Sequence, residues 1–123
     1  MKKISILGST GSIGVNTLDV VERNPEQFEV VGLAAGSNVD LFAEQVKKYR
    51  PKVAALFDTS KIQDLKARLN GQAVEIVGGQ EGSVAVASLP EADLIVSGMV
   101  GCAGLVPSFA AVQAGKTLAL ANK

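Results

Sequence analysis

Residues 8–14 read GSTGSIG and follow the short apolar run Ile4-Ser5-Ile6-Leu7. Glycines three apart, after a strand and at the start of a helix, are what a chain needs to bring its backbone against a phosphate. Gly8 allows a tight turn. Gly11 lets an anion approach the backbone with no Cβ in the way, and Gly14 lets the helix lie close on the strand. The helix starts near Ser12, so its free N–H groups and its dipole point to the same place, where Thr10 and Ser12 add hydroxyl donors. A pyrophosphate fits this arrangement. The plainer alternative is a glycine turn that only packs a helix on a strand; the strand–turn–helix context favours the nucleotide.

The spacing is G-x-x-G-x-x-G rather than G-x-G-x-x-G, which widens the turn slightly. An NAD site usually carries an Asp or Glu near the end of the second strand, to bind the ribose 2′-hydroxyl. Here that end reads Ala34-Ala35-Gly36-Ser37-Asn38, with no acid. A glycine, a hydroxyl, an amide and a helix start can instead hold a 2′-phosphate, which points to NADP over NAD. An ordinary turn with Asn38 as helix cap is the competing reading. A third glycine cluster, Gly98 to Gly104, leaves room for a nicotinamide ring, on whose face Met99 could pack. Cys102 in that loop reads as a small packing residue, because no base is visible to activate it.

Composition excludes several functions. Lys plus Arg and Asp plus Glu are 12 each, so no net charge draws the chain to nucleic acid or to an anionic membrane. There is no histidine, which removes the commonest general base, the Ser-His and Cys-His couples and most zinc sites. No carboxylate cluster suited to a metal is visible, and Asp19, Glu22, Asp64 and Glu81 read as solvated. One cysteine in 123 residues fits a reducing, cytoplasmic compartment. The start shows no signal-peptide pattern, and no apolar run is long enough to span a bilayer.

The elements needed to position the glycine turn alternate along the chain. Strands are predicted over residues 4–7, 28–35, 52–57, 74–77, 93–97 and 116–121. Helices are predicted from Ser12 to about Asn24, from an Asn38 cap with the stripe Val39, Phe42, Val46 and Tyr49, from a Ser60–Gln63 capping box with Ile62, Leu65 and Leu69 inward, over 81–88, and from Leu105 to Ala114. Mean hydropathy is +0.28 and there are 13 glycines, as expected of a sheet covered on both faces. The order predicts an α/β, Rossmann-like, doubly wound and mainly parallel sheet with helices on both faces, in one domain over 1–123. The last residues stand directly behind a core strand, so a fragment of a longer protein is expected.

GSTGSIG followed by LDVV, AAGSN at 34–38 and GCAGLVPSFAAVQAGKTLALANK at 101–123 together resemble the 1-deoxy-D-xylulose 5-phosphate reductoisomerase family. The resemblance covers the whole chain, as that enzyme's N-terminal NADPH-binding domain. It implies that Thr10, Gly11, Ser12 and Ile13 contact the NADPH pyrophosphate and ribose. It implies that Gly36, Ser37 and Asn38 surround the adenosine 2′-phosphate, that Asn122 reaches the cofactor near the nicotinamide, and that Lys123 contacts the sugar-phosphate substrate. Many relatives carry a basic residue where this chain has Ser37, and a cation would bind a dianion better than a hydroxyl. The family isomerises 1-deoxy-D-xylulose 5-phosphate and reduces the resulting aldehyde with NADPH to 2-C-methyl-D-erythritol 4-phosphate, in the non-mevalonate route to isoprenoids. It uses Mg or Mn, whose carboxylate ligands are implied to lie beyond residue 123, and its full-length members are homodimers. The resemblance thus implies a chain that binds cofactor but does not turn over alone. Competing readings are the cofactor domain of another NADP-dependent enzyme, such as a semialdehyde dehydrogenase, a non-catalytic nucleotide-binding module, or an α/β domain with no ligand.

Overall fold

Lys2–Leu7 form strand β1, whose last four residues are buried. The computed structural model describes residues 1–98 and 105–120. Helix α1 (Ser12–Arg23), strand β2 (Phe28–Ala35), helix α2 (Val39–Tyr49), strand β3 (Val53–Leu56) and helix α3 (Ile62–Arg68) follow in turn. Strand β4 (Glu75–Gly78), helix α4 (Gly79–Ala87), strand β5 (Leu94–Ser97), helix α5 (Leu105–Gln113) and strand β6 (Thr117–Leu120) complete the order.

All six strands are parallel and lie in the order β4-β3-β2-β1-β5-β6. The order reverses between β1 and β5, and in such a sheet ligands bind beyond the carboxyl ends of the strands at that reversal. On one face Ile4, Ile6, Leu33 and Leu56 pack against Leu18 and Val21 of α1, Phe42 and Val46 of α2 and Leu65 of α3. On the other face Leu7, Val31, Ala55 and Ile95 pack against Val86 and Ala87 of α4 and Ala111 of α5. The pairing jumps from Ile4 opposite Val30 to Ser5 opposite Gly32. Val31 is therefore an extra residue in β2, and this bulge lets Val30 and Leu33 face the same helices.

The predicted stripe of α2 is seen: Val39, Phe42 and Val46 are buried and Tyr49 is packed against the core. A buried phenyl ring is worth about 3–5 kcal/mol by truncation, against about 5–15 kcal/mol for a whole domain. Phe42, with no exposed surface, thus seats α2 firmly on the sheet.

Two expectations are corrected. The Ser60–Gln63 capping box does not form. Instead Asp58 accepts from the Ser60 N–H at 3.1 Å and the Ser60 hydroxyl at 2.6 Å, holding a 3₁₀ turn over Thr59–Lys61 ahead of α3. A carboxylate is the stronger acceptor, so the cap moves two residues upstream; the same bonds hold the Asp58 carboxyl below its ordinary pKa. Helix α4 also starts earlier than predicted, at Gly79 directly after β4, and β4 is an edge of the main sheet.

Candidate functional site

The glycine turn is built at the carboxyl end of β1. Gly8 has φ of 81°, a left-handed conformation that favours glycine. The Gly8 and Ser9 N–H groups both donate to the Ala34 carbonyl, at 2.7 and 2.9 Å, and the Gly11 N–H donates to the Gly8 carbonyl at 3.2 Å. The end of β1 is thereby tied to the end of β2. A Cβ at Gly14 would overlap the Gly8 carbonyl oxygen and the Ser9 backbone, so close helix packing alone requires that glycine.

Gly11 differs. Its φ of −79° suits any residue, and the nearest protein atom to a Cβ there would be the Gly8 oxygen at 3.6 Å, an ordinary contact. Nothing in the described residues requires glycine at 11. Gly11 is the N-cap of α1, no side chain caps the helix, and its first turn carries no acid. The first N–H groups of a twelve-residue helix are left for an outside acceptor. Ser12 is exposed, while Thr10 and Ile13 are half-buried.

Gly36, Ser37 and Asn38 follow the end of β2 and are all exposed. The bond from β1 to Ala34 brings this loop alongside the glycine turn. Asn38 caps α2 as the plainer reading expected, accepting from the Leu41 N–H at 3.3 Å. Its side-chain NH₂ has no protein partner among the described residues, so capping and ligand binding are compatible. Asp40, in the first turn of α2, is paired with Arg68 at 2.7 Å, and Arg68 also reaches Asp64 at 3.1 Å. Gly98, just past β5, donates to the Leu7 carbonyl at 2.8 Å; a Cβ there would stand 3.0 Å from the Ile13 Cβ. The switch point of the sheet therefore abuts the start of α1. Met99, Cys102, Asn122 and Lys123 lie outside the described residues.

The sequence reading missed a buried pair at this turn. The Ser9 hydroxyl donates to Gln45 Oε1 at 2.7 Å, and Gln45 Nε2 donates to the Ser9 carbonyl at 2.8 Å. Gln45 stands three residues after Phe42, on the inner face of α2. A polar side chain in an apolar stripe was the available signal.

A concavity of about 340 Å³ lies between α1 and α2 and is lined by Val15, Leu41, Asp19, Glu22, Glu44 and Lys48 among others. Glu22 is bound by Lys48 at 2.9 Å, which holds its carboxyl below the usual range. Three acids against one lysine make this groove unsuited to a dinucleotide. Asp19 pairs with Arg23 and Asp64 with Arg68, and Glu81 is exposed. Among the described residues no group of three His, Cys, Asp or Glu could hold a metal ion, and no helix is long and apolar enough to cross a membrane.

The family model for 1-deoxy-D-xylulose 5-phosphate reductoisomerase matches residues 4–123. The chain belongs to the 1-deoxy-D-xylulose 5-phosphate reductoisomerase family. It is 53% identical to the chloroplastic reductoisomerase of Mentha piperita, over 99% of this chain and 26% of that protein. It is 53% identical to the reductoisomerase of Synechocystis, over 100% of this chain and 32% of the relative. The fold superposes on the Zymomonas mobilis reductoisomerase in complex with NADPH with a TM-score of 0.93 and 41% identity, covering 98% of this chain and 32% of that one. A reductoisomerase crystallised with NADPH, fosmidomycin and magnesium gives a TM-score of 0.95 at 31% identity, over 99% of this chain and 30% of that one. The chain thus spans about a third or less of the length of these relatives.

Proposed function

We propose that this chain is the NADPH-binding domain, residues 1–123, of a reductoisomerase that converts 1-deoxy-D-xylulose 5-phosphate to 2-C-methyl-D-erythritol 4-phosphate. The observation that carries the reading is Gly11: the described residues do not need glycine there, and it opens onto the uncapped start of α1. A pyrophosphate at Thr10, Gly11, Ser12 and Ile13 supplies the acceptor that the Thr10, Ser12 and Ile13 N–H groups lack. Gly36, Ser37 and Asn38 receive the 2′-phosphate with backbone N–H, hydroxyl and amide donors, in place of the acid that would select NAD. Asn122 and Lys123 take the roles that the resemblance implies, near the nicotinamide and on the substrate.

Bound NADPH supplies the hydride. The chain's own contribution is to anchor and orient the dinucleotide: α1 by its dipole and donors, the β2–α2 loop by selecting the 2′-phosphate. The described residues offer no ligand set for Mg or Mn. The metal-binding carboxylates belong, on this reading, outside residues 1–123, as do the contacts that make a homodimer of the whole protein. A cytoplasmic setting is part of the same proposal, supported by the single cysteine.

Calorimetric titration of the chain with NADPH and NADH tests the cofactor reading. Tighter binding of NADPH is expected; equal, weak binding of both removes the NADP assignment, and binding of neither removes the site. With 1-deoxy-D-xylulose 5-phosphate, NADPH and Mn²⁺ together, the chain is expected to show no turnover.

A further inference from the structure

We propose that Gln45 is a positioning residue for this site: by holding the Ser9 carbonyl it aims the Thr10 N–H at the pyrophosphate. The proposal rests on the dinucleotide reading of the turn and deepens it.

Ser9 is 0% exposed and Gln45 6%, so the two bonds between them, at 2.7 and 2.8 Å, are shielded from water. An amide side chain can both accept and donate. The Ser9 hydroxyl occupies Oε1, and that choice leaves Nε2 facing the Ser9 carbonyl. In a planar trans peptide the C=O and the following N–H point in opposite directions. With the Ser9 carbonyl held inward against α2, the Thr10 N–H points outward, to the side where Gly11 and Ser12 are exposed. That N–H has no protein partner among the described residues. The opposite peptide orientation would turn a carbonyl oxygen toward an anion, replacing attraction by repulsion. Gln45 sits on the helix whose start carries Gly36, Ser37 and Asn38. One side chain therefore ties the pyrophosphate turn to the element bearing the 2′-phosphate loop.

The two partners are not equivalent, and this separates positioning from simple stabilisation. Ser9→Ala removes the hydroxyl but leaves Nε2 free to hold the carbonyl. Gln45→Met keeps the volume and removes the donor. Gln45→Glu still accepts from the Ser9 hydroxyl and donates nothing. Both Gln45 variants are expected to weaken NADPH binding about tenfold or more, the worth of a bond to a charged group, and Ser9→Ala by no more than about threefold. Each lowers the melting temperature. A merely structural pair would weaken binding equally for Ser9→Ala and Gln45→Met, or not at all, and either result overturns the proposal. Crystal structures of the unliganded variants give a cofactor-free readout, in which the Ser9–Thr10 peptide is expected to be rotated in Gln45→Met or Gln45→Glu but not in Ser9→Ala. An unrotated peptide in both Gln45 variants overturns the proposal whatever the affinities. A wild-type chain that binds no NADPH would instead overturn the cofactor reading, leaving the peptide orientation to be decided by those structures.

Discussion

Gly11 and Gly14 stand three residues apart in one turn and lack a side chain for different reasons. At Gly14 the reason is internal, since a methyl group would overlap the turn's own backbone. Gly14→Ala should cost about 1–3 kcal/mol or more, as overpacking does, visible as a melting temperature lower by several degrees. At Gly11 the methyl group makes only an ordinary contact, with the Gly8 oxygen at 3.6 Å, so Gly11→Ala should leave stability within about 0.5 kcal/mol of wild type while NADPH binding is lost. Thermal melts and titrations on the same two proteins check both halves. Ser37 gives a prediction of the opposite sign. A guanidinium in that loop adds a charge-assisted bond to a dianion, so Ser37→Arg should tighten NADPH about tenfold and leave NADH unchanged in a parallel titration. The roles of Gly8 and Gly14 were readable from spacing alone. Gln45 was not, because a single polar residue in a helical stripe does not announce its partner 36 residues away.

At the scale of elements, α1 and α2 present their starts to the site in different states. Helix α1 is uncapped and carries no acid in its first turn, whereas α2 is capped by Asn38 and carries Asp40 there. The Asp40 charge opposes a 2′-phosphate nearby, and its pairing with Arg68 reduces that opposition. Asp40→Asn should therefore strengthen NADPH binding about two- to threefold at low ionic strength, with no effect on NADH, and the gain should fade as salt screens it. Titration at two salt concentrations reads this directly. Much of the element order was legible: β2 spans the predicted 28–35 and α1 starts at the predicted Ser12, because the apolar periods there are clean and bounded by glycine and proline. The start of α3 was misread because Asp58 and Ser60 are both good caps and only the carboxylate wins. The place of β4 at the sheet edge was not legible, since a four-residue strand with exposed and half-buried positions has little periodic signal.

For the whole molecule, the absence of histidine shapes the response to pH. Histidine is the side chain whose ordinary pKa lies near the second ionisation of a phosphate monoester, about pH 6. The preference for NADPH over NADH should therefore fall as pH drops from about 7 to 5, following the cofactor's 2′-phosphate, while NADH affinity stays flat. Stability has a separate, acidic limb. The Glu22, Asp58 and Glu91 carboxyls are held below their ordinary pKa, by Lys48, Ser60 and Lys52 respectively. Their contribution is present above the unfolded-state pKa and is lost as pH falls through the folded one; Glu22 is exposed and Asp58 and Glu91 are only half-buried, so acid melts should shift only modestly. The parallel, doubly wound sheet was foreseen from the alternation of elements. The strand order was not, because alternation does not say where the chain reverses direction across the sheet. That reversal, between β1 and β5, brings Gly98 against Ile13 and completes the setting of the glycine turn. The proposed function requires one dinucleotide to span that turn and the β2–α2 loop. Amide chemical-shift mapping of the ¹⁵N-labelled chain, titrated with NADPH and then with NADH, tests it most directly. Thr10, Gly11, Ser12 and Ile13 are expected to move with both cofactors, and Gly36, Ser37 and Asn38 to move strongly with NADPH alone. Shifts confined to the groove between α1 and α2, or a loop that answers both cofactors alike, would contradict it.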